Sequence, residues 1–327
     1  MKTLLLCAAA AAVLVTAAAA QHHDHHAMPA VQAGPQPRAT EAQLATVRAA
    51  VARYADFEVA RREGWKKFGG DGPLMGEHYS LPPEKGGIDY VSGMPLDFRR
   101  PSNLMYTFVN GKRVLTGVAF NVRIAPGEPV PEGFAGSADV WHVHDFPKAV
   151  AAALQDRPLL RWVADRFGPQ HFVGKGDGRG RLAMVHVWTG PIPNPDGPFA
   201  HRNRAIPYAK LGLPFAFAEG ASEHAARGLQ LAAPNGCAET IDGALWVANA
   251  GAHKARLHAA CKAAADHVRI GLKSGTKVQV NTMAEHGWAM FDAQWKRALT
   301  PAQQARIAAI TEHGPSDAAP GHPHHQH

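Results

Sequence analysis

Cysteine is scarce in this chain, and several familiar catalytic motifs are missing from it. Three cysteines in 327 residues exclude a small disulfide-knotted scaffold, which carries many cysteines in a short chain. The sequence has no G-x-S-x-G elbow, no Walker glycine loop and no C-x-x-C-H motif. The simplest serine hydrolase, P-loop and c-type haem assignments therefore lack support. With 46% hydrophobic residues, the chain is expected to fold around one large core or two modest ones.

The basic residues do not form a single stripe. There are 34 Lys and Arg against 27 Asp and Glu, a net charge of +7, and the basic residues are spread along the chain beside acidic ones. A nucleic-acid-binding domain normally concentrates its basic excess on one face. We therefore expect no nucleic acid among the partners.

No segment reaches the 18 uninterrupted apolar residues that would indicate a transmembrane helix. Residues 1–20 instead place Lys2 before an apolar run and end in small residues at Ala20, which is the layout of a secretory signal peptide. We expect cleavage after Ala20. The sequence thus predicts a periplasmic or secreted protein with no membrane span after cleavage.

Two cysteines remain beyond this signal segment. Cys237 and Cys261 form an even pair in an oxidising compartment, and closing the loop between them stabilises a fold by about 3 kcal/mol in the chain-entropy model. Neither belongs to a C-x-x-C pair, so a thiolate metal site, the alternative, has weaker support. We expect a disulfide.

Composition divides the rest of the chain into four segments. The expected fold class is α+β, with an N-terminal helix, an antiparallel β-rich domain and a helical C-terminal region. The predicted boundaries are a His-rich disordered arm at 21–37, the α+β domain at 38–208, the helical region at 209–313 and a His-rich tail at 314–327.

Local patterns place the main elements. Thr40 and Gln43 form a capping-box signature for a helix running to about Arg62, and Thr300 and Gln303 form another before a last helix. Asn-Gly at 110–111, between apolar segments 104–109 and 113–124, predicts a hairpin with a type I′ turn. Further strands are expected at 138–145 and 181–189 with a helical crossover at 147–167, and helices at about 240–250, 252–272, 282–298 and 301–312.

Histidine is unusually abundant, with 20 residues. Eight of them lie in the two predicted tails, where clustered imidazoles bind Zn, Cu or Ni without a preformed cage. They are His22, His23, His25, His26, His322, His324, His325 and His327. We expect these tails to have measurable but unselective affinity for metal.

A second group of histidines lies on predicted strands. His142 and His144, in the sequence W-H-V-H-D, project from one face because strand side chains alternate. His186, in M-V-H-V-W, would supply the third nitrogen of a metal site, and His78 in M-G-E-H is a fourth candidate. The alternative is that these histidines only make hydrogen bonds within a polar sheet face.

Other donors accompany these histidines. Glu77 is a candidate ligand or base and Asp145 a candidate proton acceptor, and Asp139, Asp145 or Glu77 would supply the carboxylates that orient ligand imidazoles. Met75, Met94 and Met184 lie near the same motifs, and a thioether suits Cu(I). The expected cofactor is therefore a copper or zinc ion, with copper slightly favoured.

Separated motifs occur in order between about residues 50 and 208. They include the M-G-x-H turn at His78, the L-D-x-x-x-P-x-x-L-x-Y segment ending at Tyr106, the H-V-W segment at His186 and the N-P-x-G-x-F segment ending at Phe199. Together they resemble a family of secreted bacterial proteins with no assigned activity. The resemblance implies that His78 and His186 are the shared polar sites, while the H-V-H pair and the helical extension after Tyr208 are departures from the family.

Three functional hypotheses follow from these patterns. The leading one is an exported metal-binding protein that captures or handles copper or zinc through the four strand histidines and the His-rich tails. The first alternative is an exported metal-dependent hydrolase or oxidase, in which three imidazoles leave a coordination position open and Glu77 or Asp145 takes a proton from bound water. The second is a non-catalytic module that binds an envelope protein and in which the histidines are incidental.

Overall fold

The computed structural model describes residues 38–136, 140–168, 173, 178–273 and 275–311. The predicted signal peptide, the His-rich arm, the C-terminal tail and the eight tail histidines lie outside these residues. Within the described part the fold is α+β, as predicted, with an N-terminal helix, a mainly antiparallel sheet and C-terminal helices.

Seven strands form one sheet in the order β1-β2-β4-β5-β7-β6, and neighbours along this path are antiparallel, while β3 pairs in parallel with β5. The strands are β1 Lys66–Gly72, β2 Gly76–Ser80, β3 Tyr90–Val91, β4 Asn103–Val109, β5 Lys112–Ile124, β6 His142–Asp145 and β7 Arg181–Val187. The helices are α1 Arg38–Val51, α2 Phe57–Glu63, α3 Phe146–Ala153, α4 Pro158–Phe167, α5 Ala205–Lys210, α6 Glu223–Ala232, α7 Gly236–Val247, α8 Lys254–Leu272, α9 Lys277–Ala298 and α10 Pro301–Thr311.

Strands β4 and β5 form the predicted hairpin. Asn110 and Gly111 have φ values of 48° and 78°, which places both in the left-handed region that a type I′ turn requires. Val109 pairs with Lys112 across this turn. The observed strand limits lie within one residue of the predicted ones.

The two faces of the sheet bury different clusters. On one face, Leu44 and Val47 of α1 pack with Tyr106 of β4 and Phe120 of β5 in a large apolar core. Because strand side chains alternate, the residues between them along the strands face the other way. This second face carries a smaller buried cluster of Met105, Ala119, Leu182, Met184, Trp188 and Ile206.

The C-terminal helices form a further core. Helix α6 approaches α9 closely at Gly228, where a Cβ would lie 1.9 Å from the carbonyl oxygen of Ala284. The predicted disulfide joins Cys237 of α7 to Cys261 of α8, with Cα atoms 5.8 Å apart. Helix α3 packs into the same cluster, so this core extends across the predicted boundary at residue 208. None of the described helices is long and apolar enough to cross a membrane.

The N-terminal helix differs from its prediction. Thr40 and Gln43 lie inside α1, where the Thr40 hydroxyl donates to the carbonyl of Ala135 and the Gln43 side chain accepts from the Ala135 N–H at 2.8 Å. The helix also does not continue to Arg62, because it tightens into a 3₁₀ turn at residues 52–55 and Asp56 then caps α2. The polar pair therefore holds a distant loop and does not form a capping box.

The boundaries of other helices and strands also differ from the predicted ones. The crossover at 147–167 is two helices, since Pro158 begins α4. Helix α6 was not predicted, and α7 spans Gly236–Val247 where a helix at about 240–250 was expected. Strand β6 begins at His142, and residues 138–139 of the predicted strand lie outside the described residues.

Candidate functional site

The four predicted strand histidines lie on the second face of the sheet. Strand β2 contributes His78, β6 contributes His142 and His144, and β7 contributes His186. The strand positions paired with all four are occupied by members of the small buried cluster on that face: Met105 opposite His78, Ala119 opposite His186, Met184 opposite His142 and Leu182 opposite His144. The sheet topology therefore brings together side chains that are up to 108 residues apart in sequence.

The imidazole rings form a contiguous set. The Nε2 atoms of His78 and His186 are 3.4 Å apart. The ring centre of His142 lies 4.9 Å from that of His186 and 5.0 Å from that of His144. A fifth ring, that of His201, stacks on His142 with centres 4.0 Å apart. We call these five residues the histidine cluster.

His201 was not predicted, because nothing in its sequence spacing singles it out. It lies in the loop that follows β7, and this loop folds back onto the strand. The Trp188 N–H donates to the Pro198 carbonyl at 2.8 Å, and the Trp188 indole donates to the Ala200 carbonyl at 2.6 Å. The N-P-x-G-x-F segment just before His201 is the only local signal near it.

One backbone carbonyl fixes the position of a proton in the central pair. The Nδ1 atom of His186 lies 2.5 Å from the carbonyl oxygen of His201, and because a carbonyl only accepts, Nδ1 carries the proton. Burial lowers the pKa of His78 to about 4. His78 is therefore neutral at pH 7 and has one N–H.

The two Nε2 atoms are close enough to be bridged in two ways. At 3.4 Å, a proton on the Nε2 of His78 would make a hydrogen bond to the Nε2 of His186, and a metal cation would instead bind both nitrogens. Metal–nitrogen bonds of 2.0–2.1 Å in a tetrahedral site place neighbouring donors about 3.3–3.4 Å apart. The distance between His78 and His186 therefore also suits two ligands of one metal ion, with the His201 carbonyl holding the outer nitrogen of His186.

The rest of a coordination shell is less complete. Among the residues that the structure describes, no group of three or more His, Cys, Asp or Glu side chains is arranged to hold a metal ion. Met105 and Met184 are buried on the same face, and a thioether is a further type of donor. Of the other predicted methionines, Met75 lies in the turn before β2 and Met94 is exposed.

Glu77 lies on the other side of β2 from His78, because neighbouring strand residues alternate. Its carboxylate accepts hydrogen bonds from Lys67 at 2.7 Å, Arg113 at 2.6 Å and Tyr79 at 2.9 Å. The carboxylate is thus held in an ion-pair network on the face that carries the large apolar core. Its position supports a structural role and gives no support to a role as ligand or base.

Asp145 is also engaged away from the histidines. Its side chain caps α3 by accepting a hydrogen bond from the Lys148 N–H at 3.0 Å. The outer nitrogen of His186 is held by the His201 carbonyl and not by a predicted carboxylate. The positions of Glu77 and Asp145 therefore give no support to a role in accepting a proton from a metal-bound water.

A Glu77→Gln substitution is expected to lower the free energy of unfolding by about 1–2 kcal/mol at pH 7, because it removes a charged acceptor from two half-exposed cations. Burial alone would raise the pKa of Glu77, but hydrogen bonds from Arg113 and Lys67 outweigh it and hold the pKa below its usual value. The stability that the carboxylate contributes is therefore present above about pH 4.3 and is lost as the pH falls below it.

Urea unfolding at pH 7 and pH 2.5 measures this effect. The difference between wild type and Glu77→Gln should shrink at the lower pH, while Glu58→Gln, in an exposed pair with Arg61, should change little at either pH. A difference of equal size at both pH values would contradict the assignment.

Comparison of the chain with protein-family models, with curated proteins and with solved structures finds no match in any of the three. The functional conclusion therefore depends on the geometry of the histidine cluster.

Proposed function

We propose that this is an exported metal-binding protein that holds copper at the His78–His186 pair. The observation that carries the proposal is the facing pair of Nε2 atoms 3.4 Å apart, with the outer nitrogen of His186 bound to a backbone carbonyl. A cation between the two atoms would accept a lone pair from each ring at the spacing of a tetrahedral site.

Copper in its reduced state fits these donors better than zinc does. Structural zinc takes four donors from thiolate, imidazole and carboxylate groups, whereas no group of three or more such side chains in the described part of the chain is arranged to hold a metal ion. Cu(I) accepts thioether sulfur together with imidazole, and Met105 and Met184 are buried on the same face.

Export is part of the same proposal. The expected signal peptide at residues 1–20 and the disulfide between Cys237 and Cys261 are both typical of proteins in an oxidising compartment. The tail histidines would capture metal weakly and raise its concentration near the histidine cluster.

The metal content of purified protein tests the proposal. The full chain is exported from its own signal peptide, and a second form has the eight tail histidines replaced by serine. We expect the second form to retain about one equivalent of copper. Adding His78→Ala and His186→Ala to it should remove that equivalent, because both ligands at the proposed site are lost.

His224→Ala is the matched control, since His224 is exposed and lies outside the histidine cluster. This variant should keep its copper. Loss of all metal with the tail histidines would move the binding function to the tails and reject the internal site. Retention of copper by the His78→Ala, His186→Ala variant would reject it as well.

A further inference from the structure

The disulfide between Cys237 and Cys261 is accessible from one side only. Cys261 of α8 is fully buried, whereas Cys237, the second residue of α7, is partly exposed. Cys237 also lines a surface cavity of about 430 Å³. A reagent in this cavity therefore contacts Cys237, whereas Cys261 is shielded from solvent.

The wall of this cavity carries two cationic side chains. Helix α8 contributes Lys262 and Arg269 to it, together with His258. Asp266 bonds to Lys262 at 2.6 Å and to Arg269 at 2.8 Å, but exposed pairs of this kind contribute only about 0–1 kcal/mol. Both cations therefore remain able to bind a carboxylate ligand.

A titratable pair lies next to the disulfide. His258 Nε2 is 2.7 Å from the Asp242 carboxylate, and because a carboxylate accepts, Nε2 is the donor. His258 precedes Cys261 by three residues on α8, so the two side chains share a helix face. Cys237 lies in the first turn of α7, where backbone N–H groups stabilise a thiolate.

We propose that this disulfide is redox-active and exchanges with small thiols that bear carboxylate groups, the chemical class of glutathione. The incoming thiol loses its proton, and its thiolate attacks the Cys237 sulfur. The bond between the two protein sulfurs breaks, and Cys261 leaves with the electron pair and takes up a proton. A mixed disulfide on Cys237 is the product of this first step.

A second molecule of the thiol completes the reaction. Its thiolate attacks the small-molecule sulfur of the mixed disulfide and releases Cys237 as a thiol. In sum, one protein disulfide and two thiols become one protein dithiol and one small disulfide. The reverse sequence, with the small disulfide as oxidant, restores the bond between Cys237 and Cys261.

Mass spectrometry of the native full-length protein with reduced glutathione tests the proposal. We expect a glutathione adduct on Cys237, formed faster than the protein unfolds globally. Cysteamine, a thiol with an amine and no carboxylate, is the matched probe. The exposed-site variant Lys262→Gln, Arg269→Gln should slow the reaction with glutathione about tenfold and should not slow the reaction with cysteamine.

Three results would overturn the inference. Reduction that proceeds only at the global unfolding rate, followed by circular dichroism in the same buffer, would identify a purely structural disulfide. An adduct on Cys261 would contradict the one-sided accessibility. Equal slowing of both thiols in the double variant, or no slowing of either, would reject the carboxylate-bearing substrate class.

Discussion

Replacing Lys210 by methionine is expected to lower the free energy of unfolding by about 3–5 kcal/mol, the range for breaking a buried ion pair. The Lys210 side chain is only 2% exposed and its ammonium lies 3.0 Å from the Glu239 carboxylate, which is itself 10% exposed. Methionine has a similar volume, so the loss comes from the buried charge of Glu239. Its remaining hydrogen bond from Gln230 does not neutralise that charge.

Urea unfolding of single and double variants measures this cost. Replacing both partners, as Lys210→Met with Glu239→Leu, should recover most of the stability because no charge is left buried. Lys262→Met is the exposed control, since Lys262 is 75% exposed in its pair with Asp266, and it should change stability by less than about 1 kcal/mol. A double variant no more stable than Lys210→Met would contradict the explanation.

The effect of Lys210→Met should extend to the histidine face. Helix α5 packs Ile206 into the small cluster on that face, bonds the Tyr208 hydroxyl to Asn281 of α9 at 2.8 Å and ends at Lys210. It therefore joins the sheet to the helical core. Breaking the contact of Lys210 at the end of α5 should therefore increase local unfolding of α5 next to the histidine cluster. This local unfolding should need less free energy than unfolding of the sheet.

A T-x-x-Q motif occurs at residues 40–43 and at residues 300–303, and it forms a helix cap only at the second position. Thr300 and Gln303 form the reciprocal capping box, with hydrogen bonds of 3.2 and 3.0 Å. Thr40 and Gln43 have the same spacing, but Thr40 is fully buried and both side chains bind Ala135. A local pattern predicts a cap only where no distant backbone competes for the same side chains.

The candidate site was predictable to a similar extent. Alternation along one strand was enough to place His142 and His144 together, and the H-V-W segment indicated His186. The contact between His78 and His186 depends on two intervening strands, so no local pattern fixes its distance. His201 enters through a loop, and Glu77 is held by Arg113, which is 36 residues away. Roles that depend on such long-range contacts could not be deduced from spacing.

Copper(I) is expected to raise the melting temperature of the form with serine in place of the tail histidines. A ligand that binds only the native state at 100 times its dissociation constant adds about 2.7 kcal/mol of stability, which corresponds to roughly 4 °C for a chain of this size. His186→Ala removes one of the two facing donors and should weaken binding at least about 100-fold. At the same copper concentration, the stability that copper adds to the His186→Ala variant should then fall to about 0.4 kcal/mol.

The shift on adding metal is the quantity to compare, because His186→Ala also removes a buried ring and lowers stability without metal. Ascorbate keeps the copper reduced and, unlike a thiol reductant, leaves the disulfide between Cys237 and Cys261 intact. His224→Ala should show the full shift. An equal shift in His186→Ala would place the bound copper elsewhere, whereas a shift with zinc and none with copper would show that the thioethers of Met105 and Met184 are core residues and not ligands.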